Sequence, residues 1–289
     1  MTRIPESELI LNTDNSIYHL HLQPDQLAET IITVGDPDRV AQVSQHFDRI
    51  DTRVQNREFI THTGELGGKR ISVISTGIGT DNIDIVLNEL DALVNIDFDT
   101  RMIKEQLTSL KIIRIGTSGC LQKDIPMDSI LLSEYAIGLD GLMHFYNFYN
   151  NADETMFQHV FLRFVDQKTG FPIRPYFAQG NKALIKKIGY DMLKGVTVTC
   201  PGFYAPQGRR LRAEVQMEGI LEVLADFNHN GLRITNFEME TAAIYGLANM
   251  LGHQAVSCNA LLANRANGTF SKQAKQTVDK LIELVLGRV

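Results

Sequence analysis

Two glutamates that precede an apolar segment raise the first question of chemistry. Glu238 and Glu240 flank Met239 in the sequence NFEMET (residues 236–241), which leads into AAIYGLANML. Because an unpaired buried charge is costly, the two carboxylates need a partner or a purpose. Carboxylates accept hydrogen bonds from the vicinal hydroxyls of a sugar, and a thioether packs against the apolar face of a sugar. The alternative is that Glu240 is a first-turn helix carboxylate and Glu238 a strand-edge residue in water.

Two arginines lie in settings that suit an anion. Arg114 lies within the apolar strand IIRIGTSG, and Arg39 follows VGDPD on the first turn of a predicted helix. A desolvated guanidinium favours phosphate or carboxylate, and a helix N-terminus favours negative charge. A turn predicted at 116–119, which contains Thr117, would add backbone N–H groups and hydroxyls to an anion-binding nest. The alternatives are that Arg114 pairs with a structural carboxylate and that Arg39 is a solvated helix residue.

A third candidate region is the segment CPGFYAPQGRRLR (200–212), beyond the end of a predicted strand. Gln207 presents a donor and an acceptor side by side, as a planar amide edge such as that of uracil requires. Arg209 can donate to a carbonyl oxygen, and Phe203 can cover the face of a ring. The alternative is an ordinary surface loop with a turn at 205–208.

Composition narrows the class of protein. The chain has 289 residues, 44% of them hydrophobic and 21% charged, and its net charge of −6 lacks the basic balance of a general nucleic-acid binder. No apolar run is long enough to span a membrane, and the sequence contains neither a Walker A motif nor GxGxxG. We expect a cytoplasmic enzyme or binding protein without a metal site, whose three separated cysteines are reduced structural thiols.

The elements that must position these residues alternate between strands and helices. The predicted strands are 30–36, two within 58–77, 111–119, 129–141, 195–200, 233–239 and 253–263. The predicted helices are 37–47, 81–93 with Thr80 or Asp81 as N-cap, 181–190, 213–227, 240–251 and 271–287. This pattern indicates one α/β domain over residues 1–289 around a mixed sheet. The polar residues gather where strands end, which is where ligands bind in open α/β sheets.

The stretches GDPDRV, STGIG, IRIGTSG, FYAPQGR and FEMET together resemble the nucleoside phosphorylase I family, and within it the uridine phosphorylases. The resemblance runs from residue 18 to residue 265. It implies a three-layer α/β/α sandwich around a mixed, partly barrel-like sheet. It also implies cleavage of the N-glycosidic bond of a nucleoside by inorganic phosphate, which is a co-substrate, with no metal or organic cofactor.

The resemblance assigns a role to each matching residue. The implied phosphate ligands are Gly35, Arg39, Arg57, Arg114 and Thr117. The implied ribose contacts are His19, Glu238, Met239 and Glu240, and the implied base contacts are Phe203, Gln207, Arg209 and Arg265. The implied catalytic residues are Glu240, Arg114 and Arg209. His19 and Arg57 match residues that complete the site of an adjacent subunit, so a homodimer is the expected minimal active unit, and a hexamer of three dimers is compatible with it.

The reaction implied is uridine + phosphate ⇌ uracil + ribose 1-phosphate. Three alternatives are a purine nucleoside phosphorylase, a hydrolytic nucleosidase and a non-catalytic nucleoside-binding protein of the same fold. The segment TAAIYGLA is similar to purine enzymes, but those place an aspartate where this chain has Asn264, which cannot act as an acid. Arg39, Arg57 and Arg114 count against a nucleosidase. Ribose and 2′-deoxyribose substrates are both compatible with the sequence.

Overall fold

The chain forms two compact units. The computed structural model describes residues 2–169 and 173–289. The first unit comprises Met1–Ile113 and Leu247–Gln254, and the second comprises Arg114–Gly246 and Ala255–Val289. The single domain expected from the sequence stays a prediction.

Strands and helices alternate along much of the chain, which confirms the predicted α/β class. The strands are β1 (Thr30–Val34), β2 (Arg49–Asn56), β3 (Phe59–Leu66), β4 (Lys69–Ser75), β5 (Ile96–Asp97), β6 (Met102–Ile103), β7 (Lys111–Cys120), β8 (Ile130–Gly138), β9 (Tyr176–Gln179), β10 (Leu193–Thr199), β11 (Asn228–His229), β12 (Leu232–Glu238), β13 (Gln254–Asn264) and β14 (Thr269–Phe270). The helices are α1 (Pro37–Ser44), α2 (Thr80–Asn95), α3 (Ala152–Thr169), α4 (Lys182–Ile188), α5 (Ile220–Asp226), α6 (Thr241–Leu251) and α7 (Ala274–Leu286).

In the first unit, β1 pairs in parallel with β4, and β4, β3 and β2 form an antiparallel run. Helix α1 packs against β3 and β4. It begins directly after β1, because Asp36 caps it by accepting the backbone N–H of Asp38 at 3.0 Å and because Pro37 has the backbone angle that a first helical residue needs. The chain therefore turns sharply from strand to helix at Gly35.

In the second unit, five strands close into a barrel. Strand β10 pairs in parallel with β8 and β12, β12 pairs antiparallel with β7, β8 pairs antiparallel with β13, and β13 neighbours β7. The short strands β9, β11 and β14 pair with β8, β12 and β13. The predicted mixed, partly barrel-like sheet is therefore confirmed. Its closure leaves these five strands without an open edge in the barrel.

An aromatic cluster stabilises the second unit. On α3, Phe157, Phe161 and Val165 recur every four residues, which places them on one face of the helix. Phe161 lies edge-on to Phe177 of β9 and to Phe227 after α5, with ring centroids 5.6 Å and 5.4 Å apart. Such edge-to-face pairs add to the hydrophobic gain of burial.

Several local predictions were wrong at element boundaries. Helix α5 covers Ile220–Asp226 instead of 213–227, because Gly219 has a φ of +74° and a left-handed residue cannot continue a right-handed helix. The N-cap of α2 is Gly79 instead of Thr80 or Asp81. Strand β2 and helix α3 were not predicted. Both carried a usable signal: β2 alternates exposed polar residues with half-buried ones, and α3 begins with a capping box in which Asn151 and Glu154 exchange hydrogen bonds.

Phe161→Ala is expected to lower the free energy of unfolding by about 3–5 kcal/mol, because it leaves a cavity in the aromatic cluster. Urea denaturation followed by circular dichroism measures the change. The control is Met156→Ala on the same helix, where the side chain is 53% exposed. The control should change stability by less than about 0.5 kcal/mol. Equal losses in the two variants would contradict the role of the cluster.

Candidate active site

Glu238 ends β12 and caps the helix that follows. Its Oε2 accepts the backbone N–H groups of Glu240 and Thr241, both at 2.9 Å. Its Oε1 accepts the hydroxyl of Thr199 at 2.7 Å, and that hydroxyl oxygen accepts the N–H of Ala242 at 2.8 Å. Three N–H groups that the start of α6 would otherwise leave unpaired are thus satisfied. The alternative that placed Glu238 in water was wrong, because the residue is only 4% exposed.

Arg114 joins the two carboxylates. Its Nη2 lies 2.5 Å from Oε2 of Glu240 and 3.1 Å from Oε2 of Glu238, and its Nη1 donates to Oδ1 of Asn259 at 2.9 Å. Burial alone would lower the pKa of the Arg114 guanidinium, but the charges of Glu238 and Glu240 outweigh it and raise that pKa above its usual value. The carboxylates of NFEMET therefore have a cationic partner, and the alternative of a structural pairing for Arg114 is observed. Its contact with phosphate stays a prediction.

The expected turn at 116–119 was wrong. These residues lie inside β7, where Gly119 pairs with Phe237 of β12, and neither Gly116 nor Gly119 has the positive φ that a backbone nest needs. Gly116 has another role, because a Cβ on it would lie 1.7 Å from Nη1 of Arg114. The guanidinium therefore lies directly over the backbone of its own strand. Thr117, the predicted phosphate ligand, is half-buried beside it.

A second cluster gathers the residues predicted to read a base. Arg209 lies over the ring of Phe203, 3.7 Å from its centroid, and donates to the carbonyl of Phe203 at 2.7 Å and to Oε1 of Gln207 at 2.5 Å. Arg265 donates to the carbonyl of Gln207 at 3.0 Å. Burial first, and the charge of Arg265 second, lower the pKa of the Arg209 guanidinium. The structure thus brings all four predicted base contacts together.

The guanidinium of Arg209 fixes the orientation of the Gln207 amide. An arginine can only donate, so the atom of Gln207 that faces it must be the oxygen. The nitrogen Nε2 then points the other way as a donor, and Oε1 keeps a second lone pair. Gln207 is 3% exposed, so this donor and acceptor form a preorganised edge in a desolvated place.

The side chain of Asn264 is hydrogen-bonded to backbone groups of the loops around it. Its Nδ2 donates to the carbonyls of Gln122 and Ile125 at 3.0 Å and 3.2 Å, and its Oδ1 accepts the N–H of Asn267 at 3.0 Å. Neither the residue type nor its contacts supply an acid at this position.

Met239, a predicted ribose contact, is half-buried between Glu238 and Glu240, and the other predicted residues lie in the first unit. Gly35 lies between β1 and α1, and Arg39 is half-buried on the first turn of α1. At the β2–β3 turn, Arg57 has a φ of +54° and places its guanidinium 5.7 Å from the ring centroid of Tyr18.

His19 lies next to this turn. Its carbonyl accepts from Asn56 at 2.9 Å, and its Nδ1 lies 2.7 Å from Oε1 of Glu89. Glu89 also accepts the backbone N–H of Leu20 at 2.8 Å. The structure therefore brings His19 and Arg57 together in the first unit.

Sequence reasoning missed three residues that hold this machinery in place: Thr199, Asn259 and Glu89. Thr199 carried a usable signal, since it ends a strand as the other site residues do. Asn259 is an isolated amide within an apolar strand, and Glu89 lies on a helix rich in charge, so neither stands out in the sequence.

Three further properties of the described residues concern metal binding, membrane spanning and cysteine thiols. Among residues 2–169 and 173–289, no group of three or more His, Cys, Asp or Glu side chains could hold a metal ion, and no helix is long and apolar enough to cross a membrane. The three cysteines are free and buried. Burial raises the pKa of the Cys258 thiol to about 12, so this thiol stays protonated at neutral pH.

Comparison with known proteins identifies the fold and the family of this chain. The structure is similar over 98% of the chain to the whole chain of a solved Trypanosoma brucei nucleoside phosphorylase, with a TM-score of 0.86 and 30% identity. The fold is thus that of a nucleoside phosphorylase. Residues 29–287 match the family model described as phosphorylase superfamily, and the chain belongs to that superfamily. The family and enzyme class implied by the sequence motifs are confirmed.

Relatives from two branches of the family are similar to this chain. A uridine phosphorylase of Thermococcus kodakarensis is 30% identical over 90% of this chain and 81% of its own length. A purine nucleoside phosphorylase of the DeoD type from Bacillus cereus is 27% identical over 93% of this chain and 96% of its own length. The Trypanosoma brucei enzyme is described as showing uridine phosphorylase activity.

Gly116→Ala is expected to push the guanidinium of Arg114 away from Glu240, because the added methyl group would occupy its place. Breaking a buried ion pair should lower the free energy of unfolding by up to about 3–5 kcal/mol. Urea denaturation and a crystal structure of the variant measure both effects. The matched control is Gly287→Ala, whose methyl group would lie at an ordinary 3.4 Å from the carbonyl of Glu283. An unmoved guanidinium with wild-type stability would contradict the packing described for Gly116.

Proposed function

We propose that this chain catalyses the reversible phosphorolysis of a pyrimidine nucleoside, uridine + phosphate ⇌ uracil + ribose 1-phosphate. The observation that carries the proposal is the Gln207 amide, which Arg209 orients into a fixed donor and acceptor edge. The uridine phosphorylase of Thermococcus kodakarensis and the activity stated for the Trypanosoma brucei enzyme support it.

In this proposal the edge of Gln207 reads the imide edge of uracil. The free lone pair of Oε1 accepts the N3–H of the base, and Nε2 donates to one neighbouring carbonyl. Arg209 donates to another base carbonyl, and Arg265 and Phe203 support it. Because burial lowers the pKa of both the Arg209 and the Arg265 guanidinium, these cations gain from any negative charge nearby. They therefore stabilise the charge that develops on the leaving base.

The sugar and the phosphate meet at Arg114. Glu240 accepts the ribose 2′-hydroxyl with Met239 against the sugar, while Glu238 holds the start of α6 in place. Arg114 shares its guanidinium between Glu240 and a phosphate oxygen, and Thr117 supplies a hydroxyl to that phosphate. Two substrates bound to neighbouring groups of one cluster gain from proximity and orientation.

The bond changes follow from this arrangement. The C1′–N1 bond breaks and its electron pair leaves with uracil, while an oxygen of hydrogen phosphate forms a bond to C1′. The proton of hydrogen phosphate balances the charge on the released base. Phosphate is thus a co-substrate, and the proposed reaction uses no metal or organic cofactor.

We further propose a homo-oligomer whose minimal active unit is a two-fold dimer, working in nucleoside salvage in the cytoplasm. Gly35 and Arg39 are proposed as further phosphate ligands, and Arg57 and His19 as residues that serve the adjacent subunit. The adjacency of His19 and Arg57 in one unit supports the last assignment. Salvage is the natural setting, because phosphorolysis conserves the sugar as a phosphate ester and returns a free base.

Turnover of uridine, thymidine and inosine with and without phosphate tests the activity. We expect phosphate-dependent release of uracil, with uridine preferred to inosine. Gln207→Ala should reduce kcat/KM for uridine by about 10- to 100-fold, since it leaves polar groups of the base unpaired. The control is Gln45→Ala, an exposed glutamine of the first unit. Preference for inosine, or turnover that does not need phosphate, would overturn the proposal.

Subunit mixing tests the shared site. Arg57→Ala and Glu240→Ala proteins should each be inactive, because each lacks one part of every site. After subunit exchange, random pairing makes half of the dimers mixed, and each mixed dimer contains one site without a lesion, so about a quarter of wild-type activity should return. Absence of recovery despite confirmed exchange, or full activity of monomers at high dilution, would contradict a site built from two chains.

A further inference from the structure

The interior of the closed barrel contains polar side chains. Ser118 of β7, Ser133 of β8, Thr197 of β10, Asn236 of β12 and Asn259 of β13 come from the five different strands of the barrel, and each is at most 9% exposed. Side chains from all five strands can meet only inside the barrel. Because buried polar groups are costly unless they are paired, we expect each of these side chains to be hydrogen-bonded.

These side chains form one hydrogen-bonded chain. Nδ2 of Asn259 lies 3.2 Å from Oγ of Ser133, which lies 2.5 Å from Oγ1 of Thr197. Thr197 donates to Oδ1 of Asn236 at 2.9 Å, and Nδ2 of Asn236 donates to Oγ of Ser118 at 3.0 Å. The chain thus connects one residue from each of the five strands without a gap.

The direction of the chain is fixed by counting protons. The single hydroxyl proton of Thr197 goes to Asn236, so the contact with Ser133 must use the proton of Ser133. Ser133 then has only lone pairs left for Asn259, which must present its nitrogen to Ser133. The oxygen of Asn259 therefore faces the other way, and it is this oxygen that accepts Nη1 of Arg114 at 2.9 Å.

We propose that Asn259 is a positioning residue for phosphate binding and that the barrel network keeps its amide in the orientation that holds Arg114. This inference rests on the proposed function, in which Arg114 binds phosphate. Asn259 holds one edge of the guanidinium with a neutral acceptor, while Glu240 holds another edge with a charge. The guanidinium is thereby held in its plane, with a neutral acceptor on Nη1 and the carboxylates of Glu240 and Glu238 on Nη2.

Two variants test the inference, one at the Arg114 end of the network and one in its middle. Asn259→Asp keeps the shape and the acceptor but adds a negative charge beside Arg114, and phosphate should bind about tenfold more weakly or worse. Thr197→Val leaves Arg114 untouched but removes the acceptor of the Ser133 proton, so the Ser133 hydroxyl can compete with Arg114 for Oδ1 of Asn259. Phosphate should then bind about three- to tenfold more weakly, the loss of one hydrogen bond.

The matched control is Thr61→Val in β3. Thr61 is also a buried threonine of a strand, but its hydroxyl has no hydrogen-bond partner among the described residues, so valine replaces it without breaking a network. Calorimetry with inorganic phosphate measures the Kd for each protein. Steady-state kinetics then give KM for phosphate and KM for uridine separately. A crystal structure of the Thr197→Val variant shows the contacts of the Asn259 amide.

A positioning role predicts a weaker Kd and a higher KM for phosphate in both variants, with a smaller change in KM for uridine and none in Thr61→Val. A merely structural role would lower stability and leave phosphate affinity unchanged, which would overturn the inference. Wild-type protein that binds phosphate but does not release uracil would overturn the proposed function alone, because the Kd comparison would still test Asn259. Wild-type protein that does not bind phosphate would overturn both.

Discussion

The geometry of the candidate site in the second unit depends on one buried cation that contacts two buried anions. Arg114, Glu238 and Glu240 carry a net charge of −1 in a place where each is about 5% exposed. The N-terminus of α6 supplies the missing positive potential, since its backbone N–H groups donate to Glu238. Apolar residues of similar volume would be as stable or more stable than such a cluster. The presence of such a cluster where β12 ends therefore argues for a function that uses charge.

A division of labour between the two glutamates follows from their partners. Both carboxylate oxygens of Glu238 already contact α6, Thr199 or Arg114, so few lone pairs remain to bind a ligand. Glu240 begins α6 from a position that Glu238 fixes, and its carboxylate is matched to Arg114. In the proposed reaction Arg114 then connects the sugar with the phosphate, because any movement of Glu240 moves the guanidinium. Arg114 thus couples the position of the phosphate nucleophile to the position of the sugar.

Most of the longer strands and helices could be predicted from the sequence, because hydrophobic periodicity and glycine turns are local signals. The sequence singled out Glu238, Glu240, Arg114 and the segment around Gln207, which the structure groups into two clusters. It could not assign the capping role to Glu238, since both carboxylates have the same local setting and only the pairing of β10 with β12 brings Thr199 to one of them. The glycines of β7 predicted a turn, because the packing of a guanidinium over a strand leaves no local signal.

The polar interior of the barrel is compatible with a stable fold because alternate residues of a strand lie on opposite faces, one apolar and one polar. On β10, Val196 and Val198 join the aromatic cluster while Thr197 and Thr199 join the polar contacts. On β12, Phe237 packs in the cluster between Asn236 and Glu238, which turn the other way. The outer face thus supplies the hydrophobic gain, and the inner face is left to chemistry. A shift of either strand by one residue would exchange the two faces, exposing the cluster and dismantling the site together.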